Sequence, residues 1–240
     1  MGKRGQESRN GSKPRQLELP LRRVGGARKG AGRKPKNGVA AGVPHRPRGH
    51  LSRHHPSHVT MKLRGGLPRL RQKAEHAALR RAFAKGKLRF GIRLTHYVVL
   101  NDHVHLLVEA EHRDSLRAGV QGLAIRIARA LNRLWRRKGK VFADRYHDRT
   151  LKTPREVRNA LGYVMHNAKK HEAEGRMVYQ PFPIDRYSSA PWFDGFVEKF
   201  TVRGIDVTIR PVAYARTWLL RVGWRRHGLL PFAPPAAGAG

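Results

Sequence analysis

Cysteine is absent from this 240-residue chain, which excludes disulfides, thiolate-bound zinc and a cysteine nucleophile. Acidic residues are scarce: 16 Asp and Glu stand against 51 Lys and Arg, a formal charge of +35. Such an excess carries a self-repulsion that a polyanionic partner relieves, and nucleic acid is the leading partner on charge alone. No apolar run approaches the ~18 residues of a membrane span, and no lipidation motif is present. The basic N-terminus lacks the apolar stretch of a secretory signal. No membrane partner is expected, and cytoplasmic residence is the default. Any metal must be held by His, carboxylate or amide oxygen, a set that suits Mg²⁺ or Mn²⁺ as well as zinc.

What is abundant is unevenly distributed. Residues 1–55 are rich in Gly, Pro, Lys and Arg and are expected to form a disordered basic arm. Within it Arg28, Lys29, Arg33 and Lys34 read either as a clamp for DNA phosphates or as a plain solvated tail. Residues 56–185 read as one folded domain, and 186–240 as an extension with a helix over 212–226 and a flexible tail. Hydropathy alternation and turn signals place strands at 58–63, 88–100, 103–110 and 141–151. Helices are expected at 68–85, 114–137 and 154–174, with Gly86, Gly139 and Gly175 as stops. The order β-α-β-β-α-β plus a helix predicts an α+β, ferredoxin-like sandwich with an antiparallel sheet.

On the second helix Leu116, Val120, Leu123, Ile127 and Leu134 form the buried stripe by their 3/4 spacing. Arg126, Arg129, Arg133 and Arg136 flank it, as a solvated face or, the reading preferred here, as contacts to a phosphate backbone. Trp218 and Trp224 read as packing residues of the extension in preference to base-stacking platforms.

The chemistry centres on His103-Val104-His105, preceded by the turn-forming Asn101-Asp102. A strand's period of two points both imidazoles to one face, where they can share a metal, although many such pairs only pack. On the third helix Tyr163 and Asn167 stand one turn apart and share a face. If that helix crosses the face bearing His103 and His105, the amide oxygen of Asn167 completes a three-ligand site with Tyr163 beside it. The alternative is that Tyr163 only anchors the helix. Arg158, Lys169 and Lys170 lie on or near that helix and could supply the field that favours a phenolate.

His103-Val104-His105-Leu106-Leu107 resembles the His-hydrophobe-His motif of HUH endonucleases, and Tyr163-Val164-Met165-His166-Asn167 resembles their tyrosine helix. The chain is most similar to single-tyrosine (Y1) transposases of the IS200/IS605 type and to the REP-associated tyrosine transposases, over about residues 56–190. The resemblance implies a metal-dependent enzyme that cuts single-stranded DNA beside hairpins through a 5′-phosphotyrosine link, then rejoins it. It implies Mg²⁺ or Mn²⁺ on His103, His105 and Asn167, association with the nucleoid when DNA is bound, and leaves room for a homodimer. Met165 and Ala168 depart from the family, which often has His and Pro there, so His166 competes with Asn167 as third ligand. Two other classes compete: a DNA-binding repressor with a vestigial site, and a His-x-His hydrolase that activates water.

Overall fold

In the computed structural model the described residues are 49–173, 184–201 and 207–232, with the backbone alone from 168 to 173. The positions of Arg28, Lys29, Arg33 and Lys34 lie outside the described residues. Four strands, β1 (Ser57–Lys62), β2 (Ile92–Val99), β3 (His103–Ala110) and β4 (His147–Thr150), form one antiparallel sheet in the order β2-β3-β1-β4. Helices α1 (Lys73–Gly86) and α2 (Arg113–Leu134) follow β1 and β3, and α3 (Pro154–Ala173) follows β4. This is the expected ferredoxin-like order with its extra helix.

Strand alternation divides the sheet into two unlike faces. Val59 and Met61 of β1 and Val104, Leu106 and Val108 of β3 turn to one side, where they form a core with Leu79 and Phe83 of α1 and Leu116, Val120, Leu123, Ile127 and Leu131 of α2. Position 131, not Leu134, continues the α2 stripe; Leu134 is exposed. Gly119 lets α2 approach the sheet, since a Cβ there would sit 2.3 Å from Ile92. The opposite face carries Val98 of β2 and Leu107 of β3, covered by Val157, Leu161 and Val164 of α3.

A bulge at Thr95 shifts β2 between Leu94 and His96. The Thr95 hydroxyl donates to the Leu107 carbonyl at 2.9 Å. The extra residue lets Leu94 and Tyr97, three apart, both reach the first core, while His96 and Val98 turn to the α3 side.

The residues after 185 are more than an appendage. Phe193, Phe196, Leu219, Leu220, Trp224 and Leu230 complete the second core around α3. Residues 187–189 run along the outer edge of β2: Val99 N–H donates to the Tyr187 carbonyl at 2.8 Å, and Ser189 N–H to the Tyr97 carbonyl at 2.9 Å. The buried Arg71–Asp185 pair, bonded through both guanidinium nitrogens at 2.9 and 2.8 Å, pins the start of this segment. In place of one helix over 212–226 there are a single turn, α4 (Trp218–Arg221), and a 3-10 segment over Gly223–His227. Glu109 explains the break, because its carboxylate accepts from the backbone amides of Arg216 and Thr217 and from the Thr217 hydroxyl at 2.8–2.9 Å.

Candidate active site

The hairpin turn at Asn101-Asp102 and the alternation of β3 bring His103 and His105 onto the α3 face. Register sets Lys62 opposite His103, Thr60 opposite His105, and His147 of β4 beyond Thr60. Directly paired residues share a face, so β1 and β4 add a polar floor to the histidine pair. His58, one step along β1, belongs to the same floor.

His105 is the hub. Its Nδ1 lies 3.0 Å from Thr60 Oγ1 and 3.2 Å from His58 Nε2, and its Nε2 lies 3.2 Å from the Tyr163 hydroxyl. The His103 ring stands 4.8 Å from the His105 ring, edge to face, and its Nδ1 lies 2.7 Å from Asp102 Oδ1. In both rings Nδ1 is engaged by a neighbour, the arrangement that orients a histidine to ligate through Nε2. Burial works against ionising Asp102, yet the hydrogen bond and charge of His103, followed by Lys62, hold its carboxyl below the ordinary range. Burial, and secondarily Arg149, push His58 down to about 4, which keeps it a neutral partner of His105.

The tyrosine arrives on α3, whose start is built by a reciprocal cap. Glu156 N–H donates to Thr153 Oγ1, Thr153 N–H donates back to Glu156 Oε2, and Pro154 fills the first helical position. With Val157, Leu161 and Val164 facing the sheet, Tyr163 falls at the rim, 41 % exposed. One turn later Asn167 is buried at 2 % exposure, and neither amide atom has a hydrogen-bond partner among the described residues. An unpaired buried amide costs about 1–3 kcal/mol. Its oxygen is the chemistry a hard divalent cation takes, so the residues present fit such an ion. His166 is directed elsewhere, its Nε2 lying 2.7 Å from the Pro231 carbonyl. Among the described residues no three His, Asp or Glu side chains cluster as a metal site.

The expected DNA contacts are placed differently. Arg126, Arg129 and Arg133 line a cavity of about 760 Å³ between α1 and α2, with Arg81 and Lys85. That is the far side of the sheet from Tyr163, because α2 packs on the even-numbered residues of β3. Arg136 lies past the helix end, in a left-handed conformation (φ 51°) after Trp135. Arg158 donates to the carbonyls of Gly228 and Leu229 and so anchors the C-terminal segment. The Lys169 and Lys170 backbones belong to α3; their side chains lie outside the described residues. The floor residues His58, Thr60, Lys62 and His147 escaped the sequence reading, although the alternation of polar positions 58, 60 and 62 along β1 was a usable signal.

Comparison with known proteins bears on the same stretch. A protein described as a transposase from Deinococcus radiodurans R1 is 16 % identical, with 59 % of this chain and all of that one covered and a TM-score of 0.36. A REP-associated tyrosine transposase solved with a REP hairpin is 19 % identical, over 58 % of this chain and 81 % of that one, with a TM-score of 0.47. Among curated proteins none matches the chain. Residues 60–167, from the Thr60 that touches His105 to Asn167, match the family described as "Transposase IS200 like". The match spans α1, α2, β2, β3, β4 and most of α3, the part of the chain that holds His103, His105 and Tyr163.

Proposed function

We propose that this protein cuts and rejoins single-stranded DNA beside a hairpin, with Tyr163 as nucleophile. The observation that carries the reading is the Tyr163 hydroxyl 3.2 Å from His105 Nε2, one helical turn from the buried amide of Asn167, which has no hydrogen-bond partner among the described residues. Tyr163 Oη forms the bond to phosphorus, the P–O3′ bond breaks, and the strand end leaves as a 3′-hydroxyl. The 5′-phosphotyrosine keeps the bond energy, so rejoining to another 3′-hydroxyl needs no ATP. A divalent ion, Mg²⁺ or Mn²⁺, held by His103, His105 and Asn167 would neutralise the phosphate and orient it.

The chain's own residues do the rest. Asp102 holds His103, and Thr60 with neutral His58 holds His105, so both rings keep their orientation without the DNA. Lys62, His147 and Arg149 on the same floor attract the phosphate backbone.

The test is incubation with labelled hairpin DNA bearing a single-stranded flank, with Mg²⁺ or Mn²⁺, followed by a denaturing gel. A covalent adduct is expected for the natural chain and none for Tyr163→Phe. Cleavage that survives Tyr163→Phe would point to activated water instead. Binding without cleavage across several metals and hairpins would point to a repressor with a vestigial site.

A further inference from the structure

The C-terminal segment, outside the family match, builds a second cavity of about 620 Å³ beside β2, between Trp192, which packs against the first core, and Phe193, Leu220 and Trp224 of the second. Its walls include Trp192, Phe193 and Tyr214, its lining includes Arg210 and Arg221, and His96 of β2 contributes an imidazole. The bulge at Thr95 is what turns His96 into this space.

We propose that this cavity takes one unpaired nucleobase of single-stranded DNA, stacked on Tyr214, with its adjoining phosphate held by Arg221. Several features point to that occupant. Tyr214 is 73 % exposed, far more than a packing aromatic needs. The Arg210 guanidinium lies 3.9 Å from the centroid of its ring, so one face is backed by a cation while the residue as a whole stays open to a partner. Base stacking on aromatic side chains tolerates any sequence, because every base has a π face, and a neighbouring Arg strengthens it. His96 meets Phe193 edge to face at 5.4 Å. Burial, then Arg210, push its pKa down to about 3, so the ring is neutral beside a base edge, with Nδ1 3.5 Å from Ser189 Oγ. The size and aromatic lining suit a single extruded base and exclude a paired duplex.

Placement relates the cavity to the chemistry. His96 pairs with Leu107, two residues from His105 on β3, so the two imidazoles stand on one sheet face with α3 over Leu107 and Val98. The proposal rests on the single-strand reading of the active site, and its test is separable from that reading because it measures binding alone.

The experiment uses the full chain carrying Tyr163→Phe, so that no covalent product forms, and fluorescence anisotropy of two labelled hairpins, one with a single-stranded flank and one blunt. A 2-aminopurine in the flank reports stacking directly. Tyr214→Ala and Arg221→Ala should each weaken the flanked hairpin about tenfold, with the blunt hairpin unchanged within twofold. Tyr214→Ala should also abolish quenching of the 2-aminopurine, and Tyr214→Phe should restore it. Losses below twofold on the flanked hairpin, or equal losses on both hairpins, would overturn the proposal. Failure of the adduct assay with the natural chain would instead count against Tyr163 as nucleophile, whatever the anisotropy shows.

Discussion

On the α1/α2 side of the sheet Val59, Met61, Val104, Leu106 and Val108 are all closed off from solvent in an apolar core, whereas the same two strands present His58, Thr60, His103, His105 and Glu109 to the other side. The first face contributes stability by excluding water from aliphatic side chains. The second keeps polar groups in partial burial, each needing a partner, and leaves the Asn167 amide without one among the described residues. One pleated strand thus serves both ends, since alternation lets β3 be core and site at once. A functional face that gives up stability is the expected exchange where a site must be held ready.

The comparison breaks in measurable ways. Arg71→Ala leaves Asp185 charged and buried, and is expected to destabilise the chain by about 3–5 kcal/mol in urea unfolding. A loss under 1 kcal/mol would mean that the segment after 185 is held by other contacts. Leu106→Ala, on the apolar face, should cost about 2–5 kcal/mol while adduct formation per folded molecule is unchanged below the new midpoint. A fall in adduct per folded molecule would show that the two faces are coupled.

Acid should act on the folded state through its neutral histidines. Burial, then Arg80, Arg71 and Arg186, push His76 down to about 3, against about 6.5 in the unfolded chain. Between those values the unfolded chain binds a proton that the native chain refuses, so stability rises with pH and is lost as pH falls from 6.5 toward 3. The slope for one such histidine approaches ~1.4 kcal/mol per pH unit, and His76→Gln should flatten it. Equal slopes in denaturant titrations of the two proteins would remove His76 from the account. On the polar face, Asn167→Leu should raise stability by roughly 1–3 kcal/mol and weaken Mn²⁺ binding in calorimetry. A destabilised variant with unchanged Mn²⁺ affinity would make Asn167 a packing residue.

The local patterns that were legible in the sequence are those that repeat. Alternation placed β3 at His103–Ala110 with the structure's own bounds, and the Thr153-Pro154-Arg155-Glu156 stretch opens α3 at Pro154. The boundaries that moved are set by contacts distant in sequence or by single residues. The expected strand at 88–100 begins only at Ile92, because Phe90 and Gly91 take left-handed backbone (φ 57° and 72°). The expected strand at 141–151 is a paired strand only over His147–Thr150, preceded by an isolated bridge between Phe142 and Leu63. The helix expected over 212–226 is interrupted where Glu109, a hundred residues away, captures the amides of Arg216 and Thr217. The arginine stripe of α2 was visible as a stripe, but which side of the sheet it occupies follows from packing, which periodicity along one helix does not encode.

The central claim is that Tyr163 is the residue that takes the DNA. Its most direct test is to trap the reaction with hairpin DNA and Mn²⁺, digest with protease and nuclease, and map the nucleotide-bearing peptide by mass spectrometry. The account predicts a phosphonucleotide on Tyr163 alone. The same modification on another residue, or cleaved DNA with no modified peptide, would contradict it.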